Sequence, residues 1–226
     1  MTSLFQRAMG DGFDLLHPRL RERFSAGADT GTCCIGRGTM DRIWHGGAAV
    51  RPFLALGAVR NILVPRAGRD VPFVIENVPY TDALGREAVT FVRTFRLPGR
   101  PRRFDATMVY SPERGCIVDY LGTHQHLACD LFPEPDGRGG LVIRSGPLRF
   151  REGPLDVGVP AALGGTAEVR ERYDERTGRF RISVRVGNPL LGPVFGYQGS
   201  FTTEHPRAAG RPLPAHLCPT REEARA

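Results

Sequence analysis

Arg93 stands inside an apolar alternation, with Val89, Phe91, Phe95 and Leu97 at the other odd positions of Ala88–Leu97. Strand side chains alternate between two faces, so this spacing puts a guanidinium on the face that otherwise reads as buried. Glu171 is placed the same way, in phase with Ala167, Val169 and Tyr173. Asp119 is in phase with Ile117 and Leu121, although the opposite face (Cys116, Val118, Tyr120) is equally apolar. A buried arginine or carboxylate is unfavourable alone, so each needs a partner. A structural reading pairs Arg93 with Glu171 or with Asp119 as an internal brace. A functional reading has Arg93 grip a carboxylate or enolate of a bound molecule, beside a carboxyl of raised pKa that moves a proton. A slip in strand phase would leave these residues outside. In the functional reading Arg93, Glu171, Asp119 and Tyr197 are the catalytic candidates, with Tyr110, Tyr173 or Tyr197 donating to developing oxyanion charge. Phe91, Phe95, Phe104, Met108 and Phe195 shape an apolar cavity. Tyr110, Gln125 and Tyr173 fall in phase with it, and Trp44 and His45 stand at the end of a strand, at its mouth.

Other chemistries find less support. None of the 31 basic residues is lysine, which excludes a phosphate-loop lysine, a Schiff-base lysine and a lysine general base. The arginines alternate with acids instead of forming a stripe, so the +7 charge does not read as a nucleic-acid footprint. His124-Gln-His126 would put two imidazoles on one strand face, with Asp130 the nearby carboxylate. That face opposes Leu127 and Leu131, so it reads as solvated, and no metal site is expected. The five cysteines lack zinc-finger or CxxC spacing and read as reduced thiols. There is no GxSxG elbow, and Gly36-Arg-Gly38 lacks the βαβ context of a dinucleotide fingerprint. No cofactor is expected.

The elements that must position these groups are mostly strands. Phe5, Met9, Phe13 and Leu16 recur at helical spacing, and Pro18 opens a second helix to Phe24, so residues 3–25 read as a helical segment. Thr32–Trp44 reads as a strand in which Gly36 and Gly38 allow a bend or a close backbone approach. Residues 50–65 form a helical interlude ended by Pro65. About ten short strands follow, joined by turns such as Ser-Pro-Glu-Arg-Gly (111–115) and Glu-Arg-Thr-Gly (175–178). Connections this short force antiparallel pairing, and a meander this long loses its edges by closing. The expected fold is a single mainly β domain over 1–205, a calycin- or lipocalin-like antiparallel β-barrel with N-terminal helices and an inserted lid helix. A tail over 206–226 reads as disordered. No run of apolar residues is long enough for a membrane-spanning helix, and the start lacks a signal-peptide pattern, which suggests a cytoplasmic protein.

Several of these segments carry a resemblance. The run Phe5-Gln-Arg-Ala-Met-Gly-Asp-Gly-Phe13, the segment Phe91-Val-Arg93-Thr-Phe95, Glu171 through Phe180, and Asn188-Pro-Leu-Leu-Gly192 with Tyr197-Gln-Gly199 together resemble a bacterial domain of unknown function, number 4166. That domain occurs alone or fused behind saccharopine-dehydrogenase-like reductases. The resemblance implies a shared framework at Arg93, Glu171, Tyr197 and the 189–192 turn, without an activity. Phe91 replaces the family's usual tryptophan, and Tyr197-Gln-Gly departs from its Tyr-Arg-Gly. The expected function is a cofactor-independent enzyme (cyclase, isomerase or lyase) acting on a small apolar or amphipathic molecule inside the barrel, with a homodimer as a second expected association. Alternatives are a non-catalytic lipophile carrier, or a partner domain of a reductase docking through the 50–64 helix.

Overall fold

The computed structural model describes residues 2–27, 31–207 and 213–226; positions 28–30 of the expected 26–31 break and 208–212 of the expected tail lie outside them. Three short helices precede or interrupt the strands: α1 (Leu4–Met9), α2 (Pro18–Phe24) and α3 (Arg51–Val59). α1 starts in a capping box, with Ser3 Oγ accepting from the Gln6 N–H and Gln6 Oε1 accepting from the Ser3 N–H. α2 has Pro18 in its first turn and His17 as its cap, Nδ1 accepting from the Arg19 N–H.

Twelve strands follow in sequence: β1 (Cys34–His45), β2 (Gly68–Thr81), β3 (Glu87–Phe95), β4 (Arg102–Ser111), β5 (Cys116–Leu121), β6 (Leu127–Pro135), β7 (Leu141–Ser145), β8 (Arg149–Glu152), β9 (Leu155–Gly158), β10 (Thr166–Asp174), β11 (Arg179–Asn188) and β12 (Gly192–Glu204). Neighbours pair antiparallel in the order β5-β4-β3-β2-β1-β12-β11-β10-β7-β6, and β5 pairs with β6 to close the circle. The expected barrel is therefore present, closed by ten strands, with the β8–β9 hairpin attached outside through β6.

An antiparallel circuit puts alternate turns at opposite ends. One end carries the 82–86, 112–115, 136–140 and 175–178 turns and is plugged by α1 and α2. Leu4, Phe5, Leu16, Leu20 and Phe24 bury their side chains there, and the His17 N–H donates to Gly139 O at 2.8 Å. Each such burial contributes about 1.5–3 kcal/mol. The other end carries α3, the 96–101 and 122–126 turns, the 159–165 loop and the 189–191 turn. Along the β1, β2 and β12 side the interior is filled with rings: Phe73, Phe95, Phe195, Tyr197 and Phe201 are fully buried and in mutual contact.

Gly38 is where β1 and β12 come too close for a side chain. A Cβ there would lie 2.0 Å from Ser200 O, just before a register shift between Thr39 and Arg42. The close approach expected from sequence is thus a backbone contact beside a bulge. Gly38→Ala is expected to cost about 3 kcal/mol, a drop in Tm of roughly 6–12 °C for a chain of this size, readable in a thermal melt.

Two expected segments differ. Residues 213–226 pack against the barrel wall: Leu217 and Glu223 are buried, and Tyr120 Oη donates to Arg225 O at 2.5 Å. Their composition suggested disorder, but arginine and glutamate side chains supply hydrogen bonds that hold an otherwise polar segment in place. The helical interlude stops at Val59, because Asn61 takes a left-handed backbone (φ 57) before Pro65 is reached.

Candidate functional site

The rings on the β1, β2 and β12 side leave a cavity of about 570 Å³ against β4–β7, β10 and β11, a size that suits a small molecule. Its wall is largely apolar, and into it project Arg93, Asp119, Glu171 and Tyr197, the four residues singled out by phase, together with Phe91, Phe104 and Met108. The ambiguous Asp119 is settled by pairing: it sits across from Met108 on β4 and Cys129 on β6, both of which face inward.

The expected brace is made differently. Glu171 pairs with Arg23 of α2, Nε to Oε1 2.5 Å, not with Arg93. Arg23 also donates to Asn77 Oδ1 at 2.9 Å and to Cys34 Sγ at 3.0 Å, and its guanidinium lies 5.0 Å from the Phe24 and Phe201 rings. Phase within the strands could not reveal this partner, which belongs to a helix. Arg23 nevertheless follows Leu16 and Leu20 at helical spacing beside Phe24, a stripe that marks it as inward.

Arg93 makes no ion pair with a described carboxylate; its guanidinium lies over Phe104 and Phe91, 4.9 and 5.5 Å from the ring centres. Arg93 Nε, Asp119 Oδ1 and Tyr197 Oη are buried with no hydrogen-bond partner among the described residues. All three line the cavity. Each such atom is destabilising by about 1–3 kcal/mol unless something satisfies it, so these three are the polar groups of the chamber that the protein itself leaves unsatisfied. Burial pushes the Asp119 carboxyl up to about 7, against a smaller downward pull from Arg93. Burial likewise raises the Tyr197 hydroxyl, again with Arg93 opposing. Cys129 is pushed well up by burial and by Asp119, so it is a thiol and not a nucleophile at neutral pH.

The remaining candidates do not line the cavity. Tyr110 lies under Arg7 of α1, 5.0 Å from ring to guanidinium. Tyr173 stacks on His17 at 5.0 Å, within the plugged end. Phe95 and Phe195 belong to the packed ring cluster. Trp44 covers Gly196 on the outer face, because the inward position beside it is taken by Ile43. His45 Nδ1 is bonded to Gly46 O at 2.8 Å. Gln125 lies outside the strand that its phase implies: residues 122–126 form a turn in which Gln125 has φ 53, and its Oε1 accepts from the Glu223 N–H at 2.8 Å. The same turn puts His124 and His126 at the cavity edge, not on a solvated strand face; His126 Nδ1 pairs with Glu152 at 2.6 Å. No group of three metal-ligating side chains exists among the described residues.

Fold and site together define a closed antiparallel barrel around an apolar chamber with a small set of inward polar groups. The chain belongs to the family described as Domain of unknown function (DUF4166), whose pattern it matches over residues 16–201. It is 33% identical over 204 residues to Uncharacterized protein YndH of Bacillus subtilis (strain 168), covering 90% of this chain and 98% of that protein. No solved structure matches. Among the described residues no helix is long and apolar enough to cross a membrane.

Proposed function

We propose that the chamber is the active site of a cofactor-independent acid–base enzyme, an isomerase or cyclase acting on a small amphipathic carbonyl compound. The observation that carries this reading is Asp119, a buried carboxyl titrating near neutrality beside two unpartnered donors in an apolar cavity. A base of that pKa is matched to its task at physiological pH. Arg93 and Tyr197 hold the substrate's carbonyl oxygen. The Asp119 carboxylate removes a proton from the adjacent carbon, and the C–H electrons pass into an enolate whose charge rests on that oxygen. The protonated Asp119 then returns the proton to another carbon of the conjugated system, shifting a double bond with atoms and electrons balanced. Glu171 serves as the partner of Arg23, and Phe91, Phe104 and Met108 shape the apolar part of the substrate.

Native mass spectrometry of the purified protein tests this first. A co-purified amphipathic ligand is expected, and it should be absent from Arg93→Met. Incubated with the protein in heavy water, that ligand should gain deuterium beside its carbonyl, at a rate falling about tenfold per pH unit below 7 and lost in Asp119→Asn. Binding without exchange would make the barrel a carrier and overturn the enzymatic reading.

A further inference from the structure

We infer that the open end of the barrel docks on an anionic lipid surface. Four exposed apolar residues also line the chamber, and so mark its mouth: Leu56 and Val59 of α3, Leu163, and Leu191. Leu190 beside them is 75% exposed and Leu56 equally so. Side chains this large and this bare, gathered around one opening, form a patch that water disfavours.

The charge around the patch selects its occupant. Segments 46–67, 96–101, 122–126 and 189–191 contain five arginines (Arg51, Arg60, Arg66, Arg96 and Arg100) and not one carboxylate. All five are exposed, and none forms an ion pair with a described residue. Carboxylates on the segments packed against these are engaged or outnumbered: Glu152 pairs with His126, Asp156 with Arg149 and Arg151, Asp105 with Arg103 and Glu223 with Arg221 and Arg225, Glu222 accepts from Tyr80 and the Ala83 N–H, and Asp70 follows Arg69. The plugged end differs, since Asp14, Glu22, Asp82, Glu113 and Glu175 lie there among its arginines. A ring of leucines within a ring of arginines is complementary to acyl chains under anionic headgroups. A second copy of the chain, placed face to face on the same patch, would bring ten uncompensated arginines together, so it fits worse. Docking would let an amphipathic molecule pass between bilayer and chamber without crossing water. That purpose rests on the function proposed above, whereas the docking itself does not.

Sedimentation with vesicles tests it on the full-length protein without any substrate, so failure here is distinguishable from failure of the enzymatic reading. Binding is expected to vesicles of phosphatidylcholine with phosphatidylglycerol, to weaken in high salt, and to be lost on phosphatidylcholine alone. Arg51→Glu/Arg100→Glu should weaken it at least about tenfold, and Leu56→Ser/Leu190→Ser should abolish it. These side chains are exposed, so unchanged melting temperatures would show that the variants fold. No binding to the anionic vesicles, or binding indifferent to both pairs of substitutions, overturns the proposal. So does concentration-dependent dimerisation that Leu56→Ser/Leu190→Ser removes while vesicles stay unbound.

Discussion

Arg23→Met is expected to destabilise the protein by about 3–5 kcal/mol, because it strands Glu171 as a lone charge inside the barrel. The two side chains are 1% and 3% exposed, and Arg23 supplies every hydrogen bond described for the Glu171 carboxylate. Removing one member leaves the other unpaired, and that penalty exceeds whatever the pair itself contributes. Arg23→Met/Glu171→Leu should therefore recover most of the loss, since apolar replacements of both partners pack without a stranded charge. Urea denaturation of the two single variants and the double variant reads the coupling directly. Two small, additive losses would mean that the pair does not brace α2 against β10. Glu171 would then be free to act on a ligand, and the proton-transfer role assigned to Asp119 would have a rival.

This pair also shows what could be read in advance. Strand phase placed Arg93, Asp119, Glu171 and Tyr197 in one interior because period two is enforced wherever one face of a sheet is buried. Closure was legible for a similar reason: turns too short for a crossover leave antiparallel neighbours, and ten of them must curl. Phase is silent about who meets whom. Glu171 took its partner from a helix at the plugged end, a contact spanning almost 150 residues that no local pattern encodes.

Depth along the barrel was equally hidden. Phe95, Phe195 and Phe91 share an inward face, yet only Phe91 borders the chamber, because the first two are consumed in the ring cluster. Gln125 failed for a different reason. A single left-handed residue turned an apparent strand into a turn and sent its side chain to the C-terminal segment. That segment, read as disordered from composition, is held by specific side-chain hydrogen bonds, which composition does not report.

Asp119→Asn should make the protein more stable than the parent at alkaline pH, and the sign follows from the direction of the shift. The folded carboxyl titrates near 7, while the unfolded one titrates near its ordinary value of about 4. Between those values the unfolded chain has released a proton that the folded chain keeps. Stability from this group is thus complete below pH 4 and is lost as pH rises through 7. A difference of roughly 3 pKa units corresponds to a loss on the order of 4 kcal/mol. Asparagine keeps the shape and does not titrate, so the variant escapes that loss. Urea denaturation of both proteins at pH 4.5 and 8.5 isolates it, because every other group, including buried Asp105, cancels in the comparison. The gap between variant and parent should widen by on the order of 3–4 kcal/mol toward the higher pH. A gap that stays flat would mean that Asp119 ionises as an ordinary carboxylate, and a carboxylate already charged at pH 5 has no reason to serve as a base tuned to neutrality. A widening gap shows that the fold tolerates a carboxyl that weakens it progressively from about pH 4 to 7, beside Arg93 Nε and Tyr197 Oη, which have no hydrogen-bond partner among the described residues; in the proposed reaction a substrate's oxygen would meet those two donors while its acidic carbon met the base.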